Sequence, residues 1–329
     1  MILGLIEHDR GKMSASSLEM LTLARRVADE SGGTVEAVLI GEVARPLAEE
    51  LPAYGVSKVH LLCNPVAHYG LDDYAPEAWA RSVVQLMESL SPTAIMAPGT
   101  DRGNELMAHV AGLTDLPLAA NCVEVQLDDR YATVTRMRWG GSLLEEARLE
   151  GQPKLLTVAP FTITAAPAPV STELVVETFT PSLDDKAFRV RVTHRVEAAD
   201  DKISLAEARA VIGGGRGVGS ADGFALLEEL AGLLGGVVGG SRVVTNLGWR
   251  PHADQIGQTG TRIAPDLYIA CGISGAIQHM VGCKGARHIL AINVDRDAPI
   301  VAKASYAVIG DLHEILPALI EAIKKAKAT

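Results

Sequence analysis

Short aliphatic runs alternate with amphipathic helical stretches along most of the chain, and this alternation constrains its fold more than any other feature. Ile2–Glu7 reads as a strand, and Ser17–Glu30 as a helix carrying Leu18, Leu21, Ala24, Val27 and Ala28 on one face. Thr34–Gly41 predicts a second strand, Pro46–Tyr54 a short helix, Lys58–Cys63 a third strand and Pro76–Leu90 a long helix. Thr93–Pro98 predicts a fourth strand, with a helix near Gly103–Ala111 after it. Strands separated by helices do not pair as tight hairpins, so the pattern implies a doubly wound, mainly parallel α/β sheet. Hydrophobic residues make up 48% of the 329-residue chain but aromatic residues only 4%, so its cores must be aliphatic, which suits buried parallel strands.

From about Val123 the period changes. VEVQLDDRYATVTRMRWGG (123–141) alternates around the turn-forming pair Asp128-Asp129, and KLLTVAP (154–160) and ELVVETF (173–179) follow. These segments are expected as antiparallel strands that complete or decorate the first sheet. Residues 180–202 lose helical periodicity and carry two Asp-Asp pairs, so the connection between domains is placed there. This gives an N-terminal α/β domain over 1–195 and a second domain over 203–329. The paired acids are metal-ligand types, but a solvated turn accounts for them more simply.

The second α/β unit opens with ARAVIGGGRGVGSADGFALLEEL (208–230): a strand, a glycine loop, and a helix starting near Asp222. Further strand–turn–helix units are expected around Gly236–Val244, Leu267–His279 and Ile289–Asn293. The C-terminal ILPALIEAIKKAKAT (315–329) is helical, with lysines in its last turns where they complement the helix dipole.

A formal net charge of −10 argues against a nucleic-acid groove or an anionic membrane surface, while leaving room for a local basic site. The four cysteines (Cys63, Cys122, Cys271, Cys283) have no C-x-x-C spacing, which excludes a zinc ribbon or ferredoxin-type cluster and suits a reducing compartment. The start, MILGLIEHDR, has no basic segment followed by an apolar one, and no run of about 20 apolar residues occurs. A cytoplasmic protein is expected, or one of the mitochondrial matrix if a transit peptide has been removed.

Glycines gather where strands end in the second domain. Gly213-Gly-Gly-Arg-Gly-Val-Gly219 approaches a dinucleotide loop, but its third glycine is misplaced by one against G-x-G-x-x-G. It reads equally as a plain strand-to-helix turn, with Arg216 tilting it toward an anionic ligand. GGSRVV (239–244) repeats the theme with Ser241 and Arg242. DQIGQTG (254–260) brings Gln255, Gln258 and Thr259, an ordinary polar loop when taken alone. In LYIACGISGAIQH (267–279), Ser274 is placed to cap a helix and leave the N–H groups of Gly275, Ala276 and Ile277 for an anion. A self-capped helix that binds nothing fits the same residues. His279 lies one turn into that helix, where the positive helix end disfavours its protonation. It would become cationic mainly beside a ligand that gains negative charge. Asn293 and Asp311 close two further strands, giving six polar tips where open α/β sheets bind ligands.

These residues resemble the alpha subunit of electron transfer flavoproteins. LYIACGISGAIQH followed by ILAIN, with DQIGQTG upstream and VIGDL downstream, carries the likeness, which is specific from about Gly213 to Pro317 and looser before it. The resemblance implies one FAD in a Rossmann-like, deoxyhypusine-synthase-like C-terminal domain. It also implies an electron transfer flavoprotein beta subunit as heterodimer partner and transient contacts with donor dehydrogenases and an acceptor oxidoreductase, as in fatty acid β-oxidation. Neither nucleic-acid binding nor membrane insertion is implied. By resemblance, Arg216 and Ser241 contact FAD and Arg242 covers the isoalloxazine. Gln255, Ile256, Gly257, Gln258 and Thr259 edge the flavin, with the Thr259 hydroxyl near N5. Ser274, Gly275, Ala276, Ile277, Gln278 and His279 line the cofactor, with His279 near the pyrimidine carbonyl. Asn293 and Asp311 hold the adenosine part. Asn246, Val301, Ser305 and His313 depart from the family pattern, all outside these expected contacts.

An electron carrier needs no nucleophile–base pair, and the sequence offers none to propose. It needs cations that stabilise a flavin as it gains charge. A guanidinium about 4 Å from the ring contributes roughly 4 kcal/mol at an effective dielectric of about 20. For one electron this is on the order of 170 mV. Arg242 and His279 are the expected source. Two other readings remain at this level: an NAD(P)-dependent oxidoreductase using the 213–219 loop, and an adenine-nucleotide sensor built on the N-terminal repeat.

Overall fold

The computed structural model describes residues 1–64, 69–128, 130–194 and 203–328. They form two compact units, divided within the stretch 195–202 that lies outside the described residues, as do Asp129 and the Asp200-Asp201 pair.

The first unit opens with β1 (Ile2–Leu5), a short ladder of β2 (His8–Asp9) with β3 (Lys12–Met13), helix α1 (Ala15–Ser31) and β4 (Val35–Ile40). α1 buries Leu21, Ala24, Val27 and Ala28 and stops at Gly32, whose φ of 65° lets its N–H return to the Ala28 and Asp29 carbonyls. Glu42–Tyr54 is a 3-10 segment: Pro46 and Pro52 inside it lack the N–H groups an α-helix needs. β5 (Val56–Leu62), α2 (Pro76–Leu90), β6 (Ala94–Pro98) and α3 (Asp101–Thr114) follow. α2 has the expected bounds, with proline at its start where a missing N–H costs nothing.

β7 (Leu118–Leu127), β8 (Ala132–Arg138) and β9 (Leu143–Leu149) are antiparallel. β7 and β8 match the expected alternation; β9 (LLEEARL) was not expected as a strand. The chain then returns through β10 (Lys154–Val158) and ends the sheet with β11 (Val175–Phe179). Among the described residues, all of these strands except β2 and β3 form one nine-stranded sheet, in the order β11-β5-β4-β1-β6-β10-β7-β8-β9.

The expectation that 154–160 and 173–179 pair antiparallel is corrected. β10 runs parallel to both β6 and β7, and β11 parallel to β5 at the opposite edge. Every residue of β10 is buried, with Leu155 in one core layer and Leu156 in the other. That two-sided burial is the mark of an interior parallel strand. The described part of the 180–202 connection also differs from a free linker. Asp184 caps a turn at Asp185–Phe188 through the Ala187 N–H, and Phe188 is buried in the core beside α2.

The second unit is a five-stranded sheet with every pairing parallel, in the order β13-β12-β14-β15-β16. Its elements are β12 (Ala210–Gly214), α4 (Phe224–Leu234), β13 (Val237–Gly240), α5 (Arg242–Asn246), β14 (Leu267–Cys271), α6 (Ile277–Cys283), β15 (His288–Asn293), β16 (Tyr306–Ile309) and α7 (Leu312–Ala328). The chain steps from β12 outward to β13 and then back past β12 to β14. The order therefore reverses between β12 and β14, where Gly214 and Cys271 stand in register. Open α/β sheets bind ligands outside the carboxyl ends at such a point. Among the described residues, no helix is long and apolar enough to cross a membrane.

Candidate functional site

A cavity of about 530 Å³ sits at the carboxyl end of the second sheet. All five strands supply wall residues from their C-terminal ends: Arg216 and Gly217 after β12, Ser241 and Arg242 after β13, Gly272–Ser274 after β14, Asn293–Asp295 at the end of β15, and Gly310–Leu312 after β16. The loop 255–259 contributes too, together with Val243, Asn246, Ala276, Gln278, His279 and Ala298. Every expected site residue lines this cavity except Gly275 and Ile277. Ile277 is 62% exposed, and Gly275 is buried with its backbone against Ile300.

Five of the six expected polar tips follow strands, but the sixth, 254–260, hangs on the end of β13 and the start of α6. Ile256 N–H donates to the Gly240 carbonyl, and Gln258 N–H to the Gln278 carbonyl. A Cβ on Gly282 would stand 2.3 Å from Gly257 N, so only glycine lets α6 lie this close. Gln255, 2% exposed, accepts from the Thr245 hydroxyl at 2.8 Å and donates through Nε2 to Thr259 Oγ1 at 2.9 Å. The Thr259 oxygen is thus an acceptor within the protein, and its own hydroxyl hydrogen is left to donate elsewhere.

Most glycines of the 213–219 loop serve close packing rather than an open phosphate cradle. A Cβ on Gly213 would meet the Tyr268 hydroxyl, on Gly214 the Phe224 ring, and on Gly215 and Gly217 the backbone of Gly272. Arg216 is exposed between them, at the cavity.

Ser274 does not cap α6. The helix begins at Ile277 with Ala276 at its N-cap, because Gly275 takes a φ of +79° to fit against Ile300 and delays the helical turn. The Ser274 carbonyl accepts from Ile300 N–H instead. Asn293 is buried and organises its own loop: Nδ2 donates to the Ile273 carbonyl at 2.9 Å, and Oδ1 accepts from Asp295 N–H. Asp311 accepts from His313 N–H at the start of α7.

His279 is 7% exposed. Burial pushes its pKa down to about 4, against a smaller upward pull from the Ile256 carbonyl, so the ring is neutral at neutral pH; disfavoured protonation was expected, but from the helix end rather than from desolvation. One ring nitrogen, Nε2, is 2.8 Å from the hydroxyl of Tyr268, and Nδ1 has no partner among the described residues. Tyr268 lies behind the cavity wall and escaped the sequence reading, because nothing local marks a strand tyrosine as the neighbour of a helical histidine.

The cations are Arg216 and Arg242. Two other arginines of this unit are paired, Arg209 with Asp266, and Arg250 with Glu228 and Asp254. Neither Arg216 nor Arg242 has a salt bridge or side-chain hydrogen bond to a described residue, and both line the cavity. The wall residues that were not expected include Val294, Asp295, Leu312 and Asn246, the last on α5 where the resemblance placed no contact. The strand-end rule that marked Asn293 and Asp311 extends to Asp295 and Leu312.

The donor set fits FAD. Two unpaired guanidinium groups suit its phosphates or a ring that gains charge, and the orphaned His279 Nδ1 and Thr259 hydroxyl suit ring heteroatoms. Comparison with known proteins agrees. Residues 2–184 match the electron transfer flavoprotein domain, and residues 204–284 the electron transfer flavoprotein FAD-binding domain. The chain is 36% identical over 323 residues to the electron transfer flavoprotein subunit alpha of Thermoanaerobacterium thermosaccharolyticum, covering 98% of this chain and 97% of that one. The subunit alpha of Megasphaera elsdenii is 36% identical, with 98% and 95% covered, and that of Mycobacterium leprae 35%, with 98% of each covered. The chain belongs to the electron transfer flavoprotein alpha subunit family.

Proposed function

We propose that this chain is the FAD-carrying alpha subunit of a heterodimeric electron transfer flavoprotein. In this reading it pairs with a beta subunit, takes electrons from flavoprotein dehydrogenases and passes them to a quinone oxidoreductase or another acceptor. The observation that carries the reading is the pair of unpaired arginines, Arg216 and Arg242, on a cavity walled by all five strand ends. In an acidic chain, an unneutralised pair of cations marks a place where negative charge is received.

When bound, FAD supplies reversible one- and two-electron chemistry. The chain's own part is to hold it and bias its charge. Arg242 supplies positive potential at the cavity wall, and Arg216 supplies it from the tip of the glycine loop. Gln255 orders Thr259 so that its hydroxyl hydrogen is free to donate. His279 offers a neutral polar edge from a buried ring. Asn293 and Asp311 shape the far wall through the loops they brace. Donor and acceptor share one exposed cofactor edge, so contacts with both are transient.

The glycine-loop dinucleotide reading is not supported, because Gly213, Gly214, Gly215 and Gly217 are spent on contacts with Tyr268, Phe224 and Gly272. The test is co-expression with the beta subunit, then a visible spectrum and a count of flavin and adenine nucleotide per heterodimer. A yellow complex with FAD on this subunit supports the reading. A colourless heterodimer that refuses added FAD overturns it.

A further inference from the structure

Tyr268 and His279 form a closed pair whose hydrogens do not all find acceptors. Tyr268 is fully buried in β14 and His279 is on α6, with the two rings tilted at 32° and their centroids 6.1 Å apart. The Tyr268 hydroxyl and His279 Nε2 are each other's only hydrogen-bond partner among the described residues. Room for the hydroxyl exists because position 213 is glycine: a Cβ there would stand 2.3 Å from the Tyr268 oxygen. His279 reaches the cavity wall; Tyr268 does not.

A neutral imidazole carries one N–H, so the pair has two possible arrangements. If Nε2–H donates to the phenol oxygen, the phenol hydrogen is stranded in the interior, with no acceptor among the described residues. A buried unpaired donor costs about 1–3 kcal/mol. If the phenol donates to Nε2, its hydrogen is satisfied and the imidazole proton resides on Nδ1. That nitrogen is the one left without a partner, on a residue of the cavity wall. The unmet hydrogen-bond capacity then sits on Nδ1, a buried atom of a residue of the cavity wall.

We propose that Tyr268 is a positioning residue that donates to His279 Nε2 and locks this ring of the cavity wall as its Nδ1–H tautomer, a neutral hydrogen-bond donor rather than an acceptor. The proposal deepens the flavin reading, resting on it only for the identity of what the donor meets. A neutral donor can bond to a carbonyl oxygen or an unprotonated ring nitrogen, and it strengthens as that atom gains negative charge. A bare Nδ1 lone pair would repel the same atom.

The experiment is nitrogen-15 NMR of the full-length chain in its complex as purified, with labelled histidine, the His279 signals being assigned by their loss in His279→Gln. The expected wild-type result is a neutral ring at pH 7 with Nδ1 protonated and Nε2 bare. Tyr268→Phe keeps the aromatic packing and removes the donor, and it is expected to shift the tautomer ratio toward Nε2–H by on the order of tenfold. Wild-type His279 protonated on Nε2 overturns the proposal without Tyr268→Phe having to fold. An unchanged ratio in Tyr268→Phe removes Tyr268 from the role. Flavin content is read from absorbance on the same samples, so a colourless complex with an Nδ1–H ring would count against the cofactor reading and in favour of the tautomer lock.

Discussion

Gly217 and Gly272 touch backbone to backbone: a Cβ on Gly217 would stand 2.7 Å from the Gly272 Cα, and one on Gly272 would stand 2.6 Å from the Gly217 Cα. Gly217 N–H also donates to the Gly272 carbonyl at 3.1 Å. The loops after β12 and β14 are thereby fused at the point where strand order reverses, which holds Arg216 beside the Ile273–Ser274 segment. Gly272→Ala adds overpacking, about 1–3 kcal/mol, to the strain of an alanine at a φ of +62°. It is expected to lower the denaturant midpoint by at least the equivalent of about 2 kcal/mol and to reduce cofactor retention. Gly232→Ala, in α4 with open space around it, is expected to stabilise by about 0.5–1 kcal/mol. Equal effects at the two positions would contradict the packing argument.

Arg242→Ala is expected to lower the first reduction potential of the bound cofactor. The ceiling is on the order of 170 mV for a guanidinium at contact distance. Arg242 is exposed, so solvent screening reduces the fall to tens of millivolts. Arg242→Lys should recover part of it, and raised salt should shrink the difference between wild type and Arg242→Ala. A potentiometric titration with no change in either variant would take Arg242 out of this role.

The depressed pKa of His279 makes stability depend on pH in a defined sense. The unfolded chain protonates this histidine near its ordinary value of 6.5, whereas burial delays protonation in the fold to about 4. Between those values the unfolded state holds more protons, so stability is full above about pH 6.5 and falls as pH drops toward 4, by up to about 1.4 kcal/mol per unit. Glu7 and Glu19, whose carboxyls burial raises, act in the opposite sense. The measurement is therefore the difference between wild-type and His279→Gln stability at several pH values. A flat difference would contradict the buried neutral ring.

Thiol chemistry should separate one cysteine from three. Burial pushes the thiols of Cys122, Cys271 and Cys283 up to about 12, and all three side chains are buried. Cys63 is only partly buried, though desolvation raises its pKa as well. Alkylation of the folded chain at pH 8 is expected to add one label slowly, at Cys63, with the others reacting on unfolding. Peptide mass mapping reads the order, and early labelling of Cys271 would contradict the tight packing beneath the cavity.

The period of most segments was legible in the sequence, because it is set by neighbours a few residues away. Pro76–Leu90 reads as a helix from its apolar face and leading proline, and the polar residues that end aliphatic runs mark the strand ends where the cavity lies. The direction of β10 and β11 was not legible. Side-chain alternation is the same in parallel and antiparallel strands, and the choice depends on where a distant segment leaves room. LLEEARL reads poorly as a strand until β8 is beside it. Ser274 looks like a cap until Ile300 forces Gly275 out of helical geometry, and the glycines of 213–219 look like a cradle until Gly272, Phe224 and Tyr268 claim their space. The charge of His279 was decided last of all. Its residue type permits a cation, but the desolvation that keeps the ring neutral, and the phenol that takes one of its nitrogens, exist only once β14 and α6 are packed together.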